Sequence, residues 1–407
     1  MKVFITGMGA LTSLGNDVET IFSNLKAGVG GVKTMKDWEQ YNGLHTHLGA
    51  PVPEYDVSKL PRTVRRAMSR MSEMGALAAI QAVSQADLPI PSALNSTRSM
   101  MIIGSTSGSP QTLETYFRKL FEKHGPEGQV STSFFKVMNH SVAANVAAAL
   151  DYHGPLLAPS SACATSSQAM ILGWEMINSG QYDLVIAGGA DELHYMSAAV
   201  FDVVMAASRG YNSRPDEASR PFDKDRDGLV VSEGAAIVVM ESERHMLARK
   251  GRPLAEFKGG AYLCDSSHMS QSSSSTMVKT MNEALTRAGV VKEDVGYVNA
   301  HATSTTHGDE AEIKAISEVF GSKVPVSSLK GHFGHTLAAC GALEAIVSVK
   351  MMEEGVLIPT RNLVHVSPDC EGVKHVKQNE HVGVRTILSN NFAFGGMNTS
   401  LLLSRFS

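Results

Sequence analysis

Ser161-Ala162-Cys163-Ala164-Thr165-Ser166-Ser167 sets one cysteine among small residues. The turn-like stretch His153-Gly154-Pro155 precedes it, and a helical run from about Ala164 to Ser179 follows. Ala169, Met170, Leu172, Trp174 and Met176 make that run apolar enough to be buried. A thiol at a helix N-terminus feels the positive end of the backbone dipole, which favours the nucleophilic thiolate. A buried structural cysteine in a small-residue turn is the competing reading, and the cysteine alone does not decide between them. Three further segments do.

The first of these is Asn299-Ala300-His301-Ala302-Thr303-Ser304-Thr305, behind a predicted strand that begins at Val295. Loops at the C-terminal ends of strands are where α/β sheets present functional groups. A helix follows near Asp309, with Glu310 and Glu312 in its first turn. The next segment, Ser327-Ser328-Leu329-Lys330-Gly331-His332-Phe333-Gly334-His335-Thr336, again runs from a strand through a glycine-bearing loop into an alanine-rich helix. His335 stands at that helix's start, where the dipole disfavours imidazolium and leaves a neutral N–H donor. Lys330, Glu312 and His335 are candidates for pairing, since a buried lysine needs a partner. The last segment, Asn390-Asn391-Phe392-Ala393-Phe394-Gly395-Gly396-Met397-Asn398, reads as a tight turn able to aim backbone N–H groups at a ligand. A cysteine, two histidines in separate strand-loop-helix units and a glycine-rich turn are the parts of an acyl-transfer site at carbon. His45, His47, His268 and His332 are read as structural.

The 407 residues, 43% hydrophobic and 19% charged, fit a compact chain of two to three domain-equivalents. With 36 Lys and Arg against 40 Asp and Glu, the net charge is −4, which excludes a general nucleic-acid surface. Cys163, Cys264, Cys340 and Cys370 lie far apart without zinc spacing, a pattern of free thiols in a reducing compartment. No apolar stretch approaches membrane-spanning length and Met1–Gly7 opens directly into a strand-like run, so the expected location is the cytoplasm. Short apolar strands alternate with longer helices, including Arg62–Ala86, Ala143–Leu150, Ser274–Ala288, Asp309–Val319 and Thr336–Glu354, which predicts α/β layering. The polar connector Arg249–Pro253 divides the chain into halves, 1–250 and 251–407, and the serine-rich patch Ser266–Ser275 reads as a loop.

These four segments together resemble the β-ketoacyl-acyl carrier protein synthases, the condensing enzymes with Cys-His-His sites. Ile5-Thr6-Gly7-Met8-Gly9 opens like that family, and Ala218-Ser219-Arg220-Pro221-Phe222-Asp223-Lys224-Asp225-Arg226-Asp227-Gly228 matches its middle signature. The resemblance implies a thiolase-like α/β fold: two similar halves in a five-layered αβαβα sandwich, working as a homodimer or beside a related subunit. It implies decarboxylative condensation of a Cys163-bound acyl group with malonyl-acyl carrier protein in fatty acid or polyene/polyketide biosynthesis, without a cofactor. On that likeness Cys163 is the acyl acceptor, and its backbone N–H with that of Phe394 forms the oxyanion hole. His301 and His335 support decarboxylation, and Lys330 is the supporting cation paired with Glu312, near Asp309. Thr303 and Thr305 hold the phosphopantetheine arm, and Ser107, Phe392 and Phe394 line the acyl pocket. Asn299, Glu344 and Ser389 match positions that hold a monovalent cation in some relatives. No catalytic metal is implied.

Ala302 and Ala393 replace glycines usual in the family, and Ser107 replaces a bulky aliphatic. The stretch from Trp38 through Tyr41 to Pro51 is similar to synthases of aryl polyene pathways. Arg62, Arg66 and Arg70 recur at i, i+4, i+8, a basic stripe expected to dock the acyl carrier protein. Two other readings stay open: a chain-length-factor-like subunit without catalysis, which would lack the cysteine, and a thiolase, which would need a second catalytic cysteine where Cys370 stands.

Overall fold

The computed structural model describes every residue except Ser267, Gln271, Ser272 and Ser407, so part of the serine-rich loop lies outside the described residues. Two sheets are built by one rule. In the first, β1 (Val3–Leu11), β2 (Ser99–Gly104), β3 (Leu156–Leu157), β4 (Leu184–Asp191) and β5 (Gly234–Ser242) stand in the order β3-β2-β4-β5-β1. In the second, β6 (Ala255–Cys264), β7 (Tyr297–Asn299), β8 (Pro325–Ser327), β9 (Thr386–Ala393) and β10 (Met397–Ser404) stand as β8-β7-β9-β10-β6. Across these five strands each half takes the order third, second, fourth, fifth, first, and in the second a further two-residue strand, Lys374–His375, pairs in parallel with β8 at the edge. In each, the first three strands pair in parallel and the next two pairings are antiparallel. A short antiparallel contact, Phe4 with Glu256 and Ile5 with Ala255, joins the two sheets edge to edge.

The alternation of side chains across each strand decides the layers. On β5, Val238 and Met240 face a central cluster, whereas Ile237 and Val239 face an outer one. On β10, Leu401 and Leu403 turn inward and Leu402 outward. The outer layer on the first sheet is α1 (Arg70–Gln85) with α2 (Ser141–Ala149). Between the sheets run α3 (Thr165–Asn178) and, after α4 (Tyr195–Val203) on the flank, the later α7 (Cys340–Glu354). The outer layer on the second sheet is α5 (Ser274–Ala288) with α6 (Thr306–Phe320). From Cys340 to Met352 every residue of α7 is buried, Glu344, Ser348 and Lys350 among an otherwise small and apolar run, as expected for a central helix.

The helix read over Arg62–Ala86 is two, Arg62–Arg65 and Arg70–Gln85. Ser69 is extended there and Met68 is buried, so the chain kinks before α1 begins. The helix read from Thr336 likewise opens as a 3-10 turn, Leu337–Ala339. Among the described residues no helix is long and apolar enough to cross a membrane.

The two central helices approach closely at Gly341, where an added Cβ would lie 1.9 Å from Ser167 Oγ and 2.7 Å from Asn391 Oδ1. Gly341→Ala is expected to destabilise the fold by roughly 1–3 kcal/mol, as overpacking of a dense core does. Thermal unfolding checks this: an unchanged Tm would show that the helices can part without cost.

Candidate active site

Cys163 lies in the 3-10 turn Ala162–Ala164 that leads into α3. Ala162 has φ of 46°, left-handed and costly for an alanine by about 1–3 kcal/mol. The turn is tied at both ends: the Ser161 N–H donates to Thr165 Oγ1 at 2.9 Å, and that hydroxyl donates to the Ala162 carbonyl at 2.7 Å. Cys163 is thereby held, almost fully buried, at the base of a cavity.

The His301 loop leaves β7 and is fixed from α6. Glu312 accepts the N–H groups of His301 (2.8 Å) and Ala302 (2.7 Å), and Asp309 accepts that of Thr303 (3.0 Å). Asp309 also accepts the Phe222 N–H at 2.9 Å and lies 3.6 Å from Arg226, which brings the middle signature into the support of this loop. Burial raises the carboxyl of Glu312 to about 7 and that of Asp309 to about 6. The His335 loop leaves β8 and is pinned to the first half: its N–H donates to Val230 O at 2.8 Å, and Ser232 N–H donates to His335 O at 2.9 Å. Phe394 sits on the β9–β10 hairpin, whose Gly395 and Gly396 take φ of 83° and 75°. A Cβ on Gly396 would lie 1.8 Å from Asp265 O, so no other residue fits there.

Ligating atoms of Cys163, His301 and His335 all lie within 4.8 Å of one another. The imidazole rings meet edge to face, centroids 5.3 Å apart. Burial, together with the nearby Lys330 charge, holds both histidines well below the usual imidazole range, so both are neutral at pH 7. His335 Nδ1 accepts the Leu337 N–H at 3.3 Å, which places its proton on Nε2. Among the described residues that Nε2 is buried without a hydrogen-bond partner, and so is Nδ1 of His301. The thiol itself departs from the helix-end expectation. Burial pushes Cys163 up to about 12, against the Lys330 charge and the backbone N–H groups of Cys163 and Phe394 that point at the sulfur. Desolvation outweighs the dipole, and the resting thiol is protonated.

The cavity, about 320 Å³, brings together Cys163, His301, His335, Thr303, Thr305, Phe392, Phe394 and Glu312 in its lining. Three expectations are corrected. Lys330 is paired with Glu344, both fully buried, because both carboxylate oxygens of Glu312 are spent on backbone N–H groups. Ser107 is exposed and lies outside this cavity. The arginine stripe is interrupted: Arg70 opens a separate helix and its guanidinium is held by buried Glu233 at 2.6 Å and by the Val52 carbonyl. Cys370 is buried away from the cavity; Cys340, which the sequence reading passed over, donates its thiol to the Cys163 carbonyl at 2.9 Å. Also passed over were Asp191, which ties the Ala338 and Thr106 N–H groups beside the site, and Phe201, Leu229 and Met205 of the cavity wall. Isolated apolar residues carry no sequence signal of such a role.

Residues 1–245 match the family model described as Beta-ketoacyl synthase, N-terminal domain, and residues 254–364 the corresponding C-terminal domain. The 3-oxoacyl-[acyl-carrier-protein] synthase 1 of Haemophilus influenzae is 33% identical over 408 residues, covering 100% of this chain and 99% of that one. Its Escherichia coli K12 counterpart is 34% identical, with 99% of each chain covered. A β-ketoacyl synthase crystal structure from Burkholderia phymatum superposes with a TM-score of 0.96 at 40% identity, covering 100% of both chains.

The geometry makes the state of His335 testable. Nitrogen-15 NMR of the imidazole is expected to show a neutral Nε2–H ring with no titration between about pH 8 and about pH 6, because its pKa lies well below 6.5. A midpoint near the ordinary value would contradict the neutral-donor assignment.

Proposed function

The chain belongs to the beta-ketoacyl synthase family, and from that premise we propose that it is a β-ketoacyl-acyl carrier protein synthase, an acyltransferase working by two-step exchange at Cys163. The observation that carries this reading is a single thiol within 4.8 Å of two neutral histidines, one with its Nε2–H unpartnered.

In the first step Cys163 sulfur attacks an acyl-carrier thioester. Negative charge develops on the carbonyl oxygen and would be met by the N–H groups of Cys163 and Phe394, which lie beside the sulfur. The C–S bond to the carrier breaks, and the thiol proton leaves with the carrier sulfur. In the second step malonyl-carrier loses CO2, and its thioester oxygen takes up the enolate charge against His301 and His335. The carbanion attacks the acyl-Cys163 carbonyl, the S–C bond breaks, and the released Cys163 thiolate takes a proton from water. The thioester supplies activation and CO2 loss supplies the carbanion, so the chemistry balances without a redox or nucleotide cofactor. Burial, with the charge of Lys330 held by its pairing with Glu344, keeps the histidines neutral. Thr303 and Thr305, hydroxyls 3.2 Å apart on the cavity wall, would hold the pantetheine arm.

A non-catalytic subunit of this fold needs no nucleophile, so the assembled Cys163, His301 and His335 favour the catalyst. A thiolase is disfavoured by the placement of Cys370. For the acyl chain, Trp38 and Tyr41 belong to one apolar cluster with Phe201 and Phe394; Tyr41 stacks on Tyr195 at 3.6 Å. The stretch similar to aryl polyene synthases thus buttresses the pocket wall, and this supports a fatty or polyene acyl substrate. Pairing with a second copy or a related subunit is assigned to the exposed edge strand β3 and the exposed Phe121, Phe134 and Phe135. A monovalent cation would find the partnerless Asn299 Oδ1 beside Ser389 Oγ, 3.1 Å from Asn299 Nδ2, and Glu344.

Cys163→Ala is expected to abolish the acyl-enzyme while malonyl decarboxylation persists; mass spectrometry showing an acyl adduct on another residue would overturn the assignment. His301→Ala and His335→Ala are expected to permit acylation of Cys163 but slow CO2 release roughly 10²–10³-fold, the usual effect of losing one oxyanion donor. Undiminished CO2 release by either variant would remove the histidines from that role.

A further inference from the structure

One part of the cavity mouth is apolar where a charged rim was expected, beside the polar Thr306, His307 and Asp227. Val203 is 80% exposed and Met205 77%, Val204 half so, and across the mouth Met269 is 76% exposed. Val204 and Met205 continue into the cavity wall, as does Ser270 beside Met269. Met269 is fixed to the Phe394 hairpin, its carbonyl accepting the Gly395 N–H at 2.7 Å. Met205 follows the C-terminal end of α4 with φ of 56°, a left-handed position that glycine fills most easily. A methionine kept in that strained conformation, its side chain in solvent, marks a function outside the fold of the single chain. Contiguous exposed apolar residues mark an interaction surface. Because this surface is continuous with the passage to Cys163, its occupant is whatever delivers the thioester.

Resting on the condensing reading above, we propose that Val203, Val204, Met205 and Met269 form the docking rim for the carrier protein, which meets them with an apolar face around its pantetheine attachment. The basic helix is the lesser contact: Arg70 is committed to Glu233, which leaves Arg62 and Arg66 on a separate short turn. Carrier binding is then driven by apolar burial and is insensitive to salt, whereas docking on an arginine stripe weakens as salt screens it.

Val203→Asp with Met269→Asp tests the rim at positions open enough to leave the fold intact. KM is measured for malonyl-acyl carrier protein, using the carrier on which wild type has its lowest KM, and for malonyl-pantetheine. The expected result is a rise of about tenfold or more in carrier KM, since charges are forced against an apolar face, with pantetheine turnover unchanged. Wild-type carrier KM should be nearly flat up to about 0.3 M salt. An unchanged carrier KM would overturn the proposal. So would a steep salt dependence with the loss confined to Arg62→Glu/Arg66→Glu. Dissociation of an oligomer by the rim variant in sedimentation would also overturn it, assigning the rim to a second copy. Failure of the condensing reading is separate: wild type would then turn over no pantetheine thioester. Calorimetric titration with holo-carrier, which needs no chemistry, would still decide the rim.

Discussion

The buried ion pair between Lys330 and Glu344 is the constraint on which the site depends. Neither side chain has more than a trace of exposure, and charges so placed persist only when paired and hydrogen-bonded. Glu344 is fixed further by Asn391, at 2.6 Å, so α7, the Lys330 loop and the Phe394 strand meet at one carboxylate. The Lys330 charge bears on everything reactive around it. It works with burial to keep His301 and His335 neutral, and it opposes burial at Cys163. Removing either partner would leave an uncompensated charge in the densest part of the molecule.

Two sheets built in the same strand order place this pair where they do. The C-terminal ends of β7, β8 and β9 carry His301, Lys330 with His335, and Phe394, while Cys163 comes from the first half at the head of α3. The site therefore exists only where the halves meet. Val230 and Ser232 clasp the His335 backbone across that boundary, and Ser166 Oγ accepts the Ala342 N–H at 2.9 Å between the central helices.

What the sequence disclosed follows from this geometry. The four reactive segments were legible because each is a local unit, three running into a helix and one a glycine-bearing hairpin, with its chemistry concentrated in a few residues. The layers were legible from strand-helix alternation. Partner choice was not. Both Glu312 and Glu344 lie within twenty residues of Lys330 in the chain, yet Glu312 accepts the N–H groups of the His301 loop while Glu344 pairs with the lysine, a choice that only the third dimension reveals. The direction of the Cys163 shift was missed because a helix-end effect is local and visible in sequence, whereas desolvation sums over the surrounding fold. The arginine stripe assumed one helix across Met68–Ser69; burial of Met68 and the reach of Arg70 to Glu233 break it.

The neutrality of the site also accounts for what it spares. An acyl-Cys163 thioester is open to water if a base can activate one. His335 has no lone pair to lend: Nδ1 receives the Leu337 N–H and Nε2 carries the proton. Glu312, the carboxylate on the cavity wall, has both oxygens engaged by N–H groups of the His301 loop. Asp309, in the same support, is likewise spent on the N–H groups of Thr303 and Phe222. His335 is thus arranged to donate to a developing oxyanion, and the two carboxylates to hold backbone. A substrate that generates its own carbanion by losing CO2 needs no base to form it, so a site whose His335 can only donate suits carbon–carbon bond formation.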